Sequence, residues 1–317
     1  MQQHVSLNRS AGAFEGGGIT RPRAAVGIVA FNPDPVKLTR LVHAIADGAA
    51  RVFIYCNSPL QPDLIGALSA RCADRLALLG DQTNAGLGRA YNQIVLTAKR
   101  EAFHRVLLFD QDSLAPENLV ADLNDRMDRL RHEGDRPAIV GPLPVSASAD
   151  AFKQPRVFSR PRLEAKGANH PVEFLISSGS LIDCGAFDAI GPFREDFFID
   201  AVDIEWCLRA WSMGYSCWMA TDLKMEHELG AGIIRIPLVN VLLAKQPPRR
   251  IYCFIRNQLA MLRLPHVPVR WKIRVVPQLI LHSGAQVAHA DSHARMLRSV
   301  LLGWWDGARG ALGPPRD

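Results

Sequence analysis

A mostly parallel, Rossmann-like α/β fold followed by a basic helical extension is the architecture that the sequence predicts, on three observations. Short apolar runs alternate with helix-period segments over the first 140 or so residues. The notable polar residues fall where those runs end, which is where open parallel sheets bind ligands. Positive charge collects late: from Lys245 onward 12 Lys and Arg stand against 3 Asp, so of the net +6 the remainder carries −3.

The elements follow in order. Arg23 to Phe31 (RAAVGIVAF) is a nearly continuous apolar run, the pattern of a strand buried on both faces. Asn32-Pro33-Asp34-Pro35 breaks it; Asp34 can cap and Pro35 can open a helix carrying Leu38, Leu41, Val42 and Ile45 on one face. A second strand spans Arg51 to Cys56, a helix lies near Leu64, and a third strand runs from Leu76 to Leu79. A helix from about Gly88 to Lys99 leads into Arg105 to Phe109 (RVLLF), another buried strand that ends at Asp110-Gln111-Asp112. Pro144 to Pro171, rich in Pro, Ala and charge, reads as a long loop or lid; Phe174 to Asp183 reads as strand, bend and strand. Ile204 to Met213 is a helix ended by Gly214, and the pattern beyond Pro248 is helical and basic. The division expected is a loose tail over 1–22, a catalytic domain over 23–245 with halves 23–143 and 144–245, and an extension over 246–317.

At 317 residues, 48% hydrophobic and 21% charged, the chain is globular rather than disordered or multi-spanning. The cysteines at 56, 72, 184, 207, 217 and 253 form no CxxC pair and sit in apolar runs, so reduced core thiols and a cytoplasmic location are expected.

Four clusters can carry chemistry, each with a plain structural alternative. Asp110 and Asp112 can hold Mg²⁺ or Mn²⁺, hard cations that favour carboxylates and are bound jointly with substrate phosphates; equally, strand-end aspartates cap helices. Asn84 to Asn92 (NAGLGRAYN) allows a base or ribose to approach the backbone, or is a Gly-rich turn before a helix. Asp200, Asp203 and Glu205 at a helix start either complement the helix dipole or supply a general base, desolvated by Phe197, Phe198, Ile199 and Trp206. His227 is either an ordinary histidine or a neutral metal ligand.

The order of VAFNP, YCNS, TNAGLGRAYN, LLFDQDS, FFIDAVDIEWCLRAWSMGY, HELG and RIYCFIRNQLAML resembles the inverting GT-A-fold glycosyltransferases of family two, and within them bacterial rhamnosyltransferases that use dTDP-L-rhamnose. The likeness runs from about Ala25 to Arg263. It implies a nucleotide site with Asn32 and Asn57 near the nucleotide, Asn84 and Gly86 on base or ribose, and Asp110 facing ribose or metal. It also implies Asp112 and His227 as ligands of Mg²⁺ or Mn²⁺ and Asp203 as general base. Measured back from Arg209, Asp203 and Glu205 occupy the acids of an ED-x-D pattern, with Val202 in place of its first Glu.

The implied acceptor is a glycan hydroxyl, on a polyprenyl-diphosphate carrier, in bacterial surface polysaccharide synthesis. The basic cluster Arg249, Arg250, Arg270, Lys272 and Arg274, interleaved with Tyr252, Phe254 and Trp271, is either a solvated basic face or a contact for an anionic membrane surface, peripheral on the inner face of the plasma membrane; no nucleic-acid motif accompanies it. Rival readings are the same fold with another nucleotide-sugar donor, and a non-catalytic nucleotide-sugar-binding protein.

Overall fold

The first apolar run becomes strand β1 (Ala24–Ala30), buried at every residue, in a computed structural model that describes residues 24–145, 163–226, 232–236 and 241–315. Asp34 caps helix α1 (Pro35–Ile45) as its sequence predicts, accepting from the backbone N–H of Val36 at 2.8 Å and Lys37 at 3.2 Å. Strand β2 (Val52–Cys56), helix α2 (Pro62–Cys72), strand β3 (Leu76–Leu79), helix α3 (Leu87–Arg100) and strand β4 (Arg105–Asp110) complete the first half. Helix α4 (Leu119–His132) and strand β5 (Pro137–Val145) follow.

Strands β1 to β4 are parallel in the order β3-β2-β1-β4. The chain winds outward from β1 to β3, then returns to the other side of β1. That reversal places a crevice at the carboxyl ends of β1 and β4, where Asn32 and Asp110 lie. Gly27 lets α3 close on the sheet: a Cβ there would stand 2.3 Å from the Ile94 side chain.

The second half departs from the expected pattern. Of the Phe174 to Asp183 segment only Ser180–Asp183 is a strand, β7, and it runs antiparallel between β4 and β5. The segment expected as a long loop contributes strand β6 (Asn169–Pro171) to the sheet edge, antiparallel to β8 (Ser216–Glu226). Its residues 146–162, like the tail at 1–22, lie outside the described residues. The eight-stranded order is β3-β2-β1-β4-β7-β5-β8-β6, and a second, two-stranded antiparallel sheet joins β9 (Ile233–Ile236) to β10 (Val241–Ala244). Apolar cores fill both faces: α1, α2 and α4 cover one, and α3, α5 (Cys184–Ile190) and α6 (Val202–Ser212) the other.

Beyond them come α7 (Pro248–Met261), α8 (Val269–Ala288) and α9 (His293–Arg309). Helices α7 and α9 approach closely because Gly303 and Gly307 expose backbone to the partner: a Cβ on Gly303 would meet the Tyr252 carbonyl at 2.9 Å, one on Gly307 the Leu259 Cβ at 2.9 Å. Between them Tyr252 donates to the buried Asp306 at 2.7 Å. Helix α7 in turn contributes Ile251 and Ile255 to the core beneath α3 and α6, so the extension is welded on rather than tethered.

All six cysteines are free and buried, as expected of core thiols, and burial pushes Cys184 up to about 12 and Cys253 to about 11. No helix among the described residues is long and apolar enough to cross a membrane.

Candidate active site

Strand β4 delivers Asp110, half-buried, and two residues on the exposed Asp112. Gln111 between them explains the triplet. Its Oε1 accepts from Phe31 N–H at 2.6 Å and its Nε2 donates to Phe31 O at 3.0 Å, so an amide side chain pairs with the backbone as another strand would and ties the β1 exit to the β4 exit. Asn32, in left-handed backbone at φ 46°, donates its N–H to Ser58 Oγ at 2.7 Å. On the other flank Ser178 Oγ accepts from Asp110 N–H at 3.3 Å and shares a 2.5 Å hydrogen bond with Ser113.

Asp203 reaches the same crevice from the first turn of α6. Its Oδ1 accepts from Ile204 N–H at 2.8 Å and its Oδ2 from Ser177 N–H at 3.3 Å. Burial nevertheless dominates and raises the carboxyl to about 6, with the charges of Asp110 and Asp200 adding to the rise. The apolar flanks thus have the effect their sequence predicts. Tyr91 is fully buried on α3; burial first and the charge of Asp110 next hold its phenol well above the ordinary range, so it stays protonated.

Glu205 has a different place. It is 1% exposed, Arg209 grips it through Nε at 3.0 Å and Nη2 at 2.9 Å, and His266 Nε2 lies 2.9 Å from its Oε1. Burial alone would raise its pKa, but the close His266 ring nitrogen and the Arg209 guanidinium outweigh it and lower the carboxyl below its usual value. Arg209 also donates to the carbonyls of Ile190 and Pro192, so Glu205 is tied through it to that turn.

Asn57 and Gly86 both shape the loop that leads into α3. The Asn57 side chain is buried against its neighbour loop, accepting from Ala85 N–H at 3.0 Å and donating to Gly86 O at 3.5 Å, which commits its polar atoms to holding that loop. Gly86, at φ +83°, leaves room for residue 198: a Cβ there would stand 2.7 Å from the Phe198 carbonyl oxygen. Gly88 makes the same allowance for Arg194. Gly86→Ala is therefore expected to cost about 1–3 kcal/mol, seen as an earlier unfolding midpoint in urea; an unchanged midpoint would mean that residue 198 can move aside freely. Asn84, exposed, accepts from Gly86 N–H at 3.1 Å and borders a cleft of about 290 Å³ lined by Tyr55, Gly80, Asp81, Thr83, Arg89 and Gln93.

The loop from Phe193 to Ala201 is the feature that sequence reasoning missed. Phe198, Asp200 and Ala201 all have positive φ, at 64°, 64° and 62°, a strained run for side chains with a Cβ. It persists because both sides grip it. From α3, Asn92 donates to Phe193 O at 3.0 Å and accepts from Phe193 N–H at 2.8 Å, while Leu87 N–H donates to Phe198 O at 2.5 Å. From α7, Asn257 Nδ2 lies within 2.9 Å of the carbonyls of Phe197, Ile199 and Asp200, and Arg256 Nη2 donates to Phe197 O at 3.0 Å. Arg250, placed by its sequence in a basic face, instead bonds Asp200 at 3.1 and 3.2 Å, with Asp110 and Asp203 near enough to raise its pKa further. Arg270 and Arg274 are likewise engaged, both with the buried Glu173, at 3.4 and 3.0 Å.

A divalent cation shared with substrate phosphates needs only one or two carboxylates from the protein, and Asp110 with Asp112 at a strand end provides that donor set. No group of three or more His, Cys, Asp or Glu that could hold a metal occurs among the described residues, and His227 lies outside them.

No protein-family model matches the chain. It is 26% identical over 297 residues to the dTDP-rhamnosyl transferase RfbF of Shigella flexneri, an alignment covering 91% of this chain and 96% of that one. Among solved structures it superposes on S. aureus TarS 1–349 with a TM-score of 0.55 at 12% identity, covering 91% of this chain and 92% of that one; TarS 1–349 has also been solved with UDP-GlcNAc. It superposes on GalNAc-T7, solved with UDP, GalNAc and Mn²⁺, with a TM-score of 0.56 at 12% identity, covering 95% of this chain and 60% of that one. The architecture is that of the GT-A glycosyltransferases, as the resemblance in the sequence implies.

Proposed function

We propose that this glycosyltransferase of GT-A type is an inverting enzyme that moves L-rhamnose from dTDP-L-rhamnose to a hydroxyl of a lipid-linked glycan in bacterial surface polysaccharide synthesis. The observation that carries the reading is the carboxylate of Asp203, raised to about 6 and set beside Asp110 across one crevice. It is a base poised near neutrality next to a phosphate-side acid pair. The rhamnosyl donor rests on the similarity to RfbF.

In this reading Asn32, Asn84 and Asp110 border the nucleotide, with Asn57 and Gly86 shaping the loop that holds it. The thymine end fits the cleft beside Asn84, where Arg89 offers donors. Asp203 takes the acceptor's hydroxyl proton as that oxygen bonds to the anomeric carbon and the bond from that carbon to the diphosphate oxygen breaks. Arg250, anchored on Asp200, places positive charge next to the departing diphosphate. Asp110 and Asp112, with His227 as the third candidate, would hold Mg²⁺ or Mn²⁺, which when bound stabilises charge on phosphate oxygens.

The test is a thermal-unfolding panel of nucleotide sugars with and without Mn²⁺, since a ligand that binds only the folded chain stabilises it by mass action. dTDP-L-rhamnose with Mn²⁺ is expected to give the largest rise, and Asp112→Ala to abolish the metal-dependent part while leaving the unliganded midpoint within about 0.5 kcal/mol of wild type. A larger rise with a different sugar nucleotide would replace the donor. An undiminished metal-dependent rise in Asp112→Ala would remove Asp112 from the ligand set.

A further inference from the structure

Helices α8 and α9 carry an inverted surface. A helix packed on a globular core turns polar residues outward, yet on α9 Leu297, Leu301 and Trp305 recur four apart and are 46%, 60% and 56% exposed. On α8, Val269, Ile273 and Ile280 are 70%, 71% and 61% exposed, with Pro277 exposed between them. The two helices are neighbours: α8 packs on α9, and Trp304 donates to Ser283 Oγ at 3.3 Å. Their inward faces are fully used, through Leu279 and Gln286 on α8 and Val300, Gly303 and Gly307 on α9, so the outward apolar residues are not a misregistered core.

The charge around these residues says what covers them. Arg295, Arg298 and Arg309 are exposed on α9, and on a helical wheel they fall along one flank of the Leu297–Leu301–Trp305 stripe; Arg309 stacks 5.4 Å over the Trp305 ring. Neither helix offers an exposed acid: α8 contains no Asp or Glu, and the single one in α9, Asp306, is buried against Tyr252. A second copy meeting this face through a twofold axis would set these arginines against themselves with no carboxylate to match. An anionic bilayer supplies both an apolar interior and phosphates at its rim, and an indole with arginines beside it is the composition suited to that boundary.

We propose that the outward faces of α8 and α9 are a docking surface for an anionic lipid bilayer. The two apolar stripes enter the headgroup–acyl boundary, and Arg295, Arg298 and Arg309 meet the lipid phosphates. The surface is distinct from the five-cation cluster read from sequence, of which Arg250, Arg270 and Arg274 are paired within the protein. It does not depend on the donor or on transfer, so its failure would leave the proposed reaction standing.

The experiment is flotation of the full chain with vesicles of phosphatidylcholine, with or without phosphatidylglycerol, at low and high salt, paired with sedimentation of the protein alone. Wild type is expected to float with the phosphatidylglycerol vesicles at low salt and to be released at high salt. Leu301→Glu with Trp305→Glu, and separately Arg295→Gln with Arg298→Gln, should each weaken flotation roughly tenfold or more. These positions are exposed, so unfolding midpoints should hold. Wild type that ignores phosphatidylglycerol vesicles at low salt, or variants that float as wild type does, would overturn the proposal. So would a wild-type dimer that Leu301→Glu with Trp305→Glu converts to monomer, because the face would then belong to a second copy.

Discussion

Asp203→Asn is expected to lower the transfer rate by roughly 10²-fold or more, the usual scale for losing a general base, while donor affinity measured by titration stays near wild type. The amide keeps the shape, and its one oxygen can still accept the 2.8 Å bond from Ile204 N–H while the longer bond from Ser177 N–H is given up, but it cannot take a proton. Two further readouts separate a base from a merely structural residue. In wild type the rate should rise with pH through about 6, where burial and the charges of Asp110 and Asp200 have placed the carboxyl, and the variant should lack that limb. The stability effect has the opposite sense to the activity effect. A carboxyl raised on folding favours the protonated form, so its stabilising contribution is complete below the unfolded value of 3.8 and is lost as pH rises through about 6. A non-titrating Asn should therefore unfold later than wild type at pH 8, by no more than about 3 kcal/mol, and the gap should close toward pH 4. Glu205→Gln should behave otherwise. It loosens the Arg209 clamp on the 190–192 turn and lowers the unfolding midpoint. Near-normal turnover in Asp203→Asn with collapse in Glu205→Gln would reverse the two roles.

Asn257→Ala is expected to be the most damaging change outside the crevice. One amide nitrogen serves the carbonyls of Phe197, Ile199 and Asp200, and the side chain is wholly buried, so truncation removes the donor that three carbonyls share, of which Phe197 O alone keeps another side-chain donor, Arg256. An unsatisfied buried acceptor costs about 1–3 kcal/mol, and here the loss falls on backbone already held at positive φ by its surroundings. A loss of about 2–4 kcal/mol in urea unfolding is expected, with turnover falling even where the protein remains folded, because Asp203 begins the helix that this loop sets. Asn257→Asp is the discriminating companion. It matches the volume but offers acceptors to acceptors, and should be as harmful as alanine. Full activity in Asn257→Ala would mean that the strained loop holds its form without the brace.

Much of this was legible in the sequence, and what was not has a common cause. Continuous apolar runs identify β1, β2 and β4, the Asp34-Pro35 cap locates α1, and Asp110-Gln111-Asp112 falls at a strand end because a parallel strand that is buried throughout can expose polar residues only where it stops. Strand β7 is short, flanked by serines and antiparallel among parallel neighbours, and its pairing with β4 is written in neither segment alone. Gly86 shows the limit of motif reading. A glycine announces that something comes close, but whether that is a ribose or a distant carbonyl is decided by tertiary structure. Arg250 is similar: its charge is plain in the sequence, while the carboxylate that claims it lies 50 residues earlier in the chain. Asn57 and Glu205 are polar residues of the right type in the right neighbourhood whose atoms are spent on loops.

The grip of α7 on the loop before α6 has a consequence for how the protein is made. Phe197 and Asn257 are 60 residues apart, and ribosomes add about 5–20 residues per second. A nascent chain must therefore carry Phe197, Phe198 and the positive-φ run for several seconds before the side chain that secures them has been synthesised, and longer before α9 arrives to hold α7 in place. During that interval the loop that sets the start of α6, and with it Asp203, lacks its Asn257 brace. The segment that orients Asp203 is thus completed by α7, and by the α9 that holds it, rather than by the strands around it.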